Sequence, residues 1–262
     1  MARPVDPAVK VADYLARIEY DGRLKPDSAT LRTLQLAHLR AVPFENLDIG
    51  LGREIRLTRE ALWQKIIVNR RGGFCYELNG LFAWLLEQAG FQVTHLNARD
   101  YHPEDDSFGI EFDHLALLVR AQDDPTRWLA DVGYGDTFTE PLNIDDRGEQ
   151  VQGLRSYELE PFRGGYQLWQ TGYDGKRERH YFFDLEPRRF PSEYEATCKY
   201  HQTSAHSIFT QGRIITRLTP EGRISLTERE VITTRHGERT RRPLADMEEF
   251  YRLIPVHFGF RL

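Results

Sequence analysis

The stretch Arg70-Arg71-Gly72-Gly73-Phe74-Cys75-Tyr76-Glu77-Leu78-Asn79-Gly80-Leu81-Phe82-Ala83-Trp84-Leu85-Leu86-Glu87-Gln88-Ala89-Gly90 decides how this chain is read. After Cys75 the apolar residues fall at 78, 81, 82, 85, 86 and 89, the spacing of one face of an amphipathic α-helix. Gly90 is suited to end that helix in a left-handed conformation, and Gly72-Gly73 leave the backbone uncrowded where it begins. Cys75 is therefore expected in the first turn, among unpaired N–H groups at the positive end of the helix dipole. A thiol there is expected to fall from a pKa of about 8.5 into the range of roughly 3.5–7.5, which suits a nucleophile. An inert buried cysteine satisfies the same pattern, so chemistry at Cys75 requires a base from elsewhere in the chain.

Upstream of this stretch the chain reads as helical. Asp6-Pro7 has the form of an N-cap with proline at the first helical position, opening a segment through Val11, Tyr14, Leu15 and Ile18. A second helix starts near Asp27 or Ser28, runs through Leu31, Leu34, Leu36 and Leu39, and ends at Val42-Pro43. Thr58 caps a third, through Leu62, Trp63 and Ile66-Ile67. Between them Pro43-Phe44-Glu45-Asn46-Leu47 has no readable period. From about residue 91 the texture becomes β, with strands around 91–96, 113–119 and 127–132, and a hairpin signalled by Asp174-Gly175 within 166–185. After Pro187 and Pro191 the pattern is mixed. A short helix lies near 192–200, and strands around Ile214-Ile215, Ile224 to Leu226 and Val231-Ile232 alternate with turns at Glu221-Gly222 and His236-Gly237. A final helix spans Asp246 to Leu253. The order helical, β, mixed divides the chain into blocks 1–90, 91–190 and 191–262. With no repeat or long linker between them, these blocks are expected to pack as one α+β body.

The composition supports a large core: 40% of the 262 residues are hydrophobic, including 15 Phe, 12 Tyr and 4 Trp. A net charge of −5 gives no basic field for nucleic acid or membrane. The Arg70-Arg71 and Arg239 to Arg242 runs read as solvated faces or local anion sites. The N-terminus lacks an apolar h-region and the chain has no span of 18 apolar residues, so a soluble, non-secreted, cytoplasmic protein is expected. Its two cysteines, Cys75 and Cys198, are enough for one bridge but not for a disulfide framework, and a reducing compartment fits. Neither belongs to a CxxC, and no HExxH or HxH pair occurs, so no metal is expected.

A thiolate enzyme needs an imidazole base and a group to orient it. His95 and His114 both sit in apolar strand contexts, with His114 favoured because His95 is mid-strand. Asp131 ends the following strand ahead of Val132-Gly133-Tyr134-Gly135. If the two strands pair as antiparallel neighbours, His114 and Asp131 meet at one sheet edge. Glu45 and Arg71, opposite in charge and flanking these segments, are expected to pair and secure the loop before Cys75.

The blocks 38–47, 71–79, 114–117, 131–135, Thr203-Ser204, Ser207-Ile208-Phe209 and Phe258-Gly259-Phe260, in this order and spacing, resemble the arylamine N-acetyltransferase family. The resemblance implies a Cys75–His114–Asp131 triad, and a helical bundle, β-barrel and α/β lid around a cysteine protease-like core. It further implies acetyl-CoA as cosubstrate, no metal, and an aromatic amine or hydrazine as the second substrate. Phe44, Tyr134 and Phe209 match acceptor-pocket positions, and Gly133 and Tyr200 match positions near coenzyme A. Cys198, Ala205 and His206 depart from the family pattern, and Asp100 replaces an apolar residue near the pocket. The end at Leu262 is expected to leave the coenzyme cleft more open. Rival readings of the same triad are an amide synthase and a thiol hydrolase or transglutaminase-like enzyme. A non-catalytic binder of aromatic metabolites is the alternative of another class.

Overall fold

The structure is a computed structural model that describes residues 7–122 and 124–262, so the expected cap at Asp6 lies outside the described residues. The first helices are α1 (Pro7–Arg17) and α2 (Ser28–Ala41). Asp27 caps α2 as expected, its carboxylate accepting the Thr30 N–H at 2.8 Å. The segment without a period contains β1 (Phe44–Glu45), followed by α3 (Leu47–Gly50). Two residues are too few for a strand period to register. Thr58 caps α4 (Arg59–Trp63), but the helix expected to continue through Ile67 widens into a π turn, Gln64–Val68. Arg17 supports that departure, donating to the carbonyls of Ile66 at 3.1 Å and Arg70 at 3.1 Å. The chain then enters α5 (Cys75–Gln88), with Gly90 just past its end at φ +92°.

The expected amphipathic face of α5 proves too narrow a description, because every residue from Cys75 to Leu86 is buried. The helix runs through the centre of the molecule, and its polar residues Glu77 and Asn79 have partners there. Such all-round burial is open only to a helix whose polar side chains are individually satisfied.

The middle of the chain supplies β2 (Gln92–His102), β3 (Ser107–Phe108), β4 (His114–Arg120), β5 (Trp128–Ala130), β6 (Leu142–Asn143), β7 (Gln150–Gln152), β8 (Arg155–Phe162), β9 (Gly165–Thr171) and β10 (Arg177–Phe183). Antiparallel pairing in the order β6-β5-β4-β2-β10-β9-β8-β7 makes a nearly closed barrel, with β3 added to β2. The β9–β10 hairpin sits where Asp174-Gly175 placed it. Strand β4 is buried on both faces. Leu115, Leu117 and Val119 join the helical core, whereas Ala116 and Leu118 join the barrel core. This is the physical reason for its unbroken apolar run.

The last part contains α6 (Glu195–Thr203), α7 (Ile208–Gln211), β11 (Ile214–Thr219), β12 (Gly222–Thr227), β13 (Glu230–Arg235), β14 (Glu238–Pro243) and α8 (Met247–Phe258). A second sheet has the order β1-β11-β12-β13-β14. Phe44 is opposite Thr216 and Glu45 opposite Ile215, so a strand from the helical block is built into the sheet of the last. The Arg239 to Arg242 run is β14, an exposed edge strand in which Arg241 pairs with Glu230 and Arg242 with Glu249. A third core of Leu47, Ile215, Leu226, Phe250, Ile254 and Phe258 joins this sheet to α8. Among the described residues no helix is long and apolar enough to cross a membrane.

Candidate active site

Cys75 opens α5 and is 3% exposed. The approach to it is narrow: a Cβ on Gly72 would lie 1.9 Å from the Pro43 carbonyl oxygen, so only glycine fits there. The expected Glu45–Arg71 pair forms at 2.7 Å and belongs to a larger buried network. Arg71 also reaches Asp48 at 2.5 Å, and Lys65 bonds Asp48 at 2.8 Å and Glu77 at 2.9 Å. Glu77 in turn accepts the Phe74 N–H at 3.2 Å. Two cations and three carboxylates thus bind β1, α3, the π turn and the start of α5 into one unit around the cysteine loop.

The pairing register brings the base and its orienter together. Leu117 is opposite Ala130, which makes Asp131 a diagonal neighbour of His114 across the β4–β5 pair. His114 Nε2 lies 2.7 Å from Asp131 Oδ2. The same imidazole is close enough to the Cys75 thiol to act on its ionisation, as is the Leu115 N–H. Asp131 Oδ1 accepts from Asn79 Nδ2 and from the Gly133 N–H, both at 2.8 Å, and Oδ2 accepts from the Tyr181 hydroxyl at 3.2 Å. The carboxylate is fully buried but hydrogen-bonded on both oxygens.

The electrostatics correct one expectation. Burial pushes the Cys75 thiol up, and the hydrogen bond and charge of His114 together with the Leu115 N–H only partly offset this. The helix start alone therefore does not make a low-pKa thiol, because desolvation opposes it. Burial also acts to lower His114, but the Asp131 carboxylate together with Cys75 outweighs it and raises the imidazole well above its ordinary value. The activating element is the charge held on His114 rather than the helix dipole.

His95 is not part of this constellation; its ring stacks on Phe190 at 5.3 Å. Tyr134 stands edge-on to His114 with ring centroids 5.2 Å apart. Phe44 and Phe209 face each other at 6.3 Å, and Phe209 meets Phe74, the residue before Cys75, at 5.6 Å. Gly133 lies against the start of α5, where a Cβ would be 2.8 Å from Cys75 Cα. Tyr200 is half-buried on α6 with its ring against His201, one side chain further from the centre. The two cysteines are free, and Cys198 is buried beside Gln202.

Three contributors escaped the sequence reading. Asn79, one turn after Cys75, donates to the Leu115 carbonyl at 2.5 Å and accepts the Val132 N–H at 2.9 Å, locking α5 to both strands of the site. A polar residue in so apolar a helix was its only signal. Asn46 holds the segment bearing Phe209, donating to the carbonyls of Phe209 at 3.0 Å and Gly212 at 2.8 Å and accepting the Ile214 N–H at 2.8 Å. Tyr181 reaches Asp131 from β10, which no local pattern announces.

A buried thiol electrostatically coupled to an imidazole, itself held by a fully bonded carboxylate, is the arrangement of the cysteine enzymes that act through an acyl-thioester. A family profile described as N-acetyltransferase matches residues 27–262. The arylamine N-acetyltransferase of Mycolicibacterium smegmatis is 34% identical over 233 residues, covering 88% of this chain and 84% of its own. The Salmonella typhimurium arylamine N-acetyltransferase / N-hydroxyarylamine O-acetyltransferase is 32% identical over 249 residues, 94% of this chain and 87% of its own. The Mycobacterium marinum arylamine N-acetyltransferase structure in complex with CoA superposes with a TM-score of 0.90 at 30% identity, covering 95% of this chain and 92% of that one. The chain belongs to the arylamine N-acetyltransferase family.

Proposed function

We propose that Cys75, His114 and Asp131 carry, in this chain, the transfer of an acetyl group from acetyl-CoA to an aromatic amine or hydrazine. The observation that supports this most directly is the His114 Nε2–Asp131 Oδ2 contact of 2.7 Å, on an imidazole that also acts on the Cys75 thiol. Cys75 Sγ attacks the thioester carbonyl carbon, the bond from that carbon to the coenzyme sulfur breaks, and His114 returns the thiol's proton to the departing coenzyme. In the second half-reaction the amine nitrogen attacks the acetyl-Cys75 carbonyl and passes its proton to His114, and the Cys75–acetyl bond breaks. Asp131 fixes the imidazole tautomer and favours its charged form. The first N–H groups of α5 have no intrahelical acceptor and are suited to the oxyanion of both steps.

Phe44, Tyr134 and Phe209 form the aromatic wall we assign to the acceptor, a role supported by their contacts with His114 and Phe74. Gly133 and Tyr200 are assigned to the coenzyme side. For Gly133 the support is its contact with the Cys75 backbone, where a thioester must arrive. We place the protein in the cytoplasm, a reading supported by two free cysteines. The test is intact-protein mass spectrometry. Acetyl-CoA should add one acetyl group to the wild type and none to Cys75→Ser, and an aniline should discharge it. A wild type that takes up no acetyl group refutes the assignment, and discharge by water as fast as by amine indicates a hydrolase.

A further inference from the structure

Asp100 is the acidic residue near the site that the reaction above leaves unused. On β2, Ala98 is opposite His114 and Asp100 is opposite Tyr181 of β10. Side chains two residues apart on a strand share a face, so the register sets Asp100 beside His114 and Tyr181, the two groups on Oδ2 of the Asp131 carboxylate. Its backbone is fixed, the N–H donating to Asp113 Oδ2 at 3.3 Å and the carbonyl accepting the Gly109 N–H at 2.8 Å. Yet its Oδ1, shielded from solvent, has no hydrogen-bond partner, the one carboxylate oxygen of this kind among the described residues. The neighbouring acids are employed, Asp113 by His201 at 3.1 Å and Asp131 by four donors. A carboxylate kept only to hold the fold would be partnered in the same way.

We propose that Asp100 is a specificity-determining residue of the acceptor half-reaction, admitting neutral aromatic amines and discriminating against those that carry an anionic substituent. The inference rests on the acetyl-transfer reading of Cys75. Repulsion of an unwanted charge sets specificity as effectively as a new contact does. It acts strongly here because Cys75, His114 and Asp131 are buried, where charges are less screened than in water. Two unit charges about 10 Å apart at an effective dielectric of ~20 give a discrimination of roughly tenfold.

The charge can be switched without mutation. Burial pushes the Asp100 carboxyl up to about 6; Asp113 and Asp131 reinforce this and His114 and His201 oppose it. Cys75, Tyr76, Tyr134 and Tyr181 are the remaining titratable groups within its field. Their charges also act on an anionic acceptor, so the difference between the wild-type and Asp100→Asn rate ratios isolates the charge at Asp100.

The experiment acetylates Cys75 with acetyl-CoA, removes the excess, and measures discharge by aniline and by 4-aminobenzenesulfonate between about pH 5.5 and 8, where the sulfonate stays anionic. In the wild type the sulfonate-to-aniline rate ratio should rise about tenfold as the pH falls through Asp100's titration. In Asp100→Asn the ratio should be high and flat. A pH-independent wild-type ratio, or a pH dependence that survives in Asp100→Asn, overturns the proposal while leaving acetyl transfer intact. Failure of the wild type to take up acetyl overturns the underlying reading and the proposal with it. A flat wild-type ratio overturns the proposal even if the variant folds poorly.

Discussion

Replacing Arg71 with alanine removes one of two cations shared by three buried carboxylates. The guanidinium side chain is 7% exposed and bonds Glu45 at 2.7 Å and Asp48 at 2.5 Å. At an effective dielectric of ~20 each contact is worth about 4 kcal/mol gross. Removing the guanidinium also removes the cost of burying it, and broken pairs of this kind lose about 3–5 kcal/mol net. For a chain of this size that corresponds to a fall in Tm of roughly 6–20 °C. Lys65 remains, 2.8 Å from Asp48 and 3.9 Å from Glu45, too far from Glu45 to replace the lost bond. Arg71→Lys should recover less than half of the loss, because one ammonium cannot span two carboxylates as the planar fork does. The assay is urea and thermal unfolding at pH 7.5, with the initial rate of Cys75 acetylation measured well below Tm. That rate should fall too, since the network holds the loop that delivers the thiol. An Arg71→Ala protein within about 1 kcal/mol of wild type would refute the reasoning, because it would mean that the carboxylates find other partners.

Asp131→Asn places an amide where four hydrogen atoms are now received, so at least one donor is orphaned and the imidazolium loses its counter-charge. Acetylation of Cys75 should slow by on the order of 10³–10⁴-fold, as for orienting carboxylates in comparable triads, and a loss below tenfold would contradict the role given to Asp131. Acid should destabilise the fold before the carboxylates titrate, because burial pushes His38 down to about 3 and His95 and His180 down to about 4. Between pH ~6.5 and ~4 the unfolded chain binds more protons than the native one, so stability falls as pH falls through that window. His114 has the opposite sign: its contribution is complete below ~6.5 and lost only as pH rises through its raised native value. Calorimetry should show Tm dropping between pH 7 and 4.5, and a flat profile would show that these imidazoles are hydrated.

Much of the site was legible because its parts are local. Cys75 announces itself through a helix start, Asp27 and Thr58 through caps, and the β9–β10 hairpin through Asp174-Gly175. The Glu45–Arg71 pair was accessible from charge and position, but its extension to Asp48, Lys65 and Glu77 was not, because that network joins four elements. Phe44-Glu45 had no visible period because its strand partners lie at Ile215 and Thr216, near the other end of the chain. The β8 strand, with Tyr157 and Leu159 inward and Glu158 and Glu160 outward toward Arg177, was overlooked because its outer face is charged.

By itself the sequence determined which residue types were available and in what order. It set a cysteine at a helix start, a histidine and an aspartate at the ends of successive strands, glycines where backbones must touch, and a family resemblance running through all of them. Those signals are carried by neighbours in the chain, and local sterics and hydrogen bonding act on neighbours. The sequence favoured His114 over His95, but only the tertiary structure brought His114 and Asp131 within 2.7 Å, because a sheet register determines which side chains are diagonal neighbours. It also decided the sign of the thiol's shift, since burial is a property of the packed whole and here outweighs the helix terminus. Asp100 shows the same division: the sequence has an acid where the family resemblance implies an apolar residue, and only the folded register sets it, with Oδ1 unpartnered, beside His114.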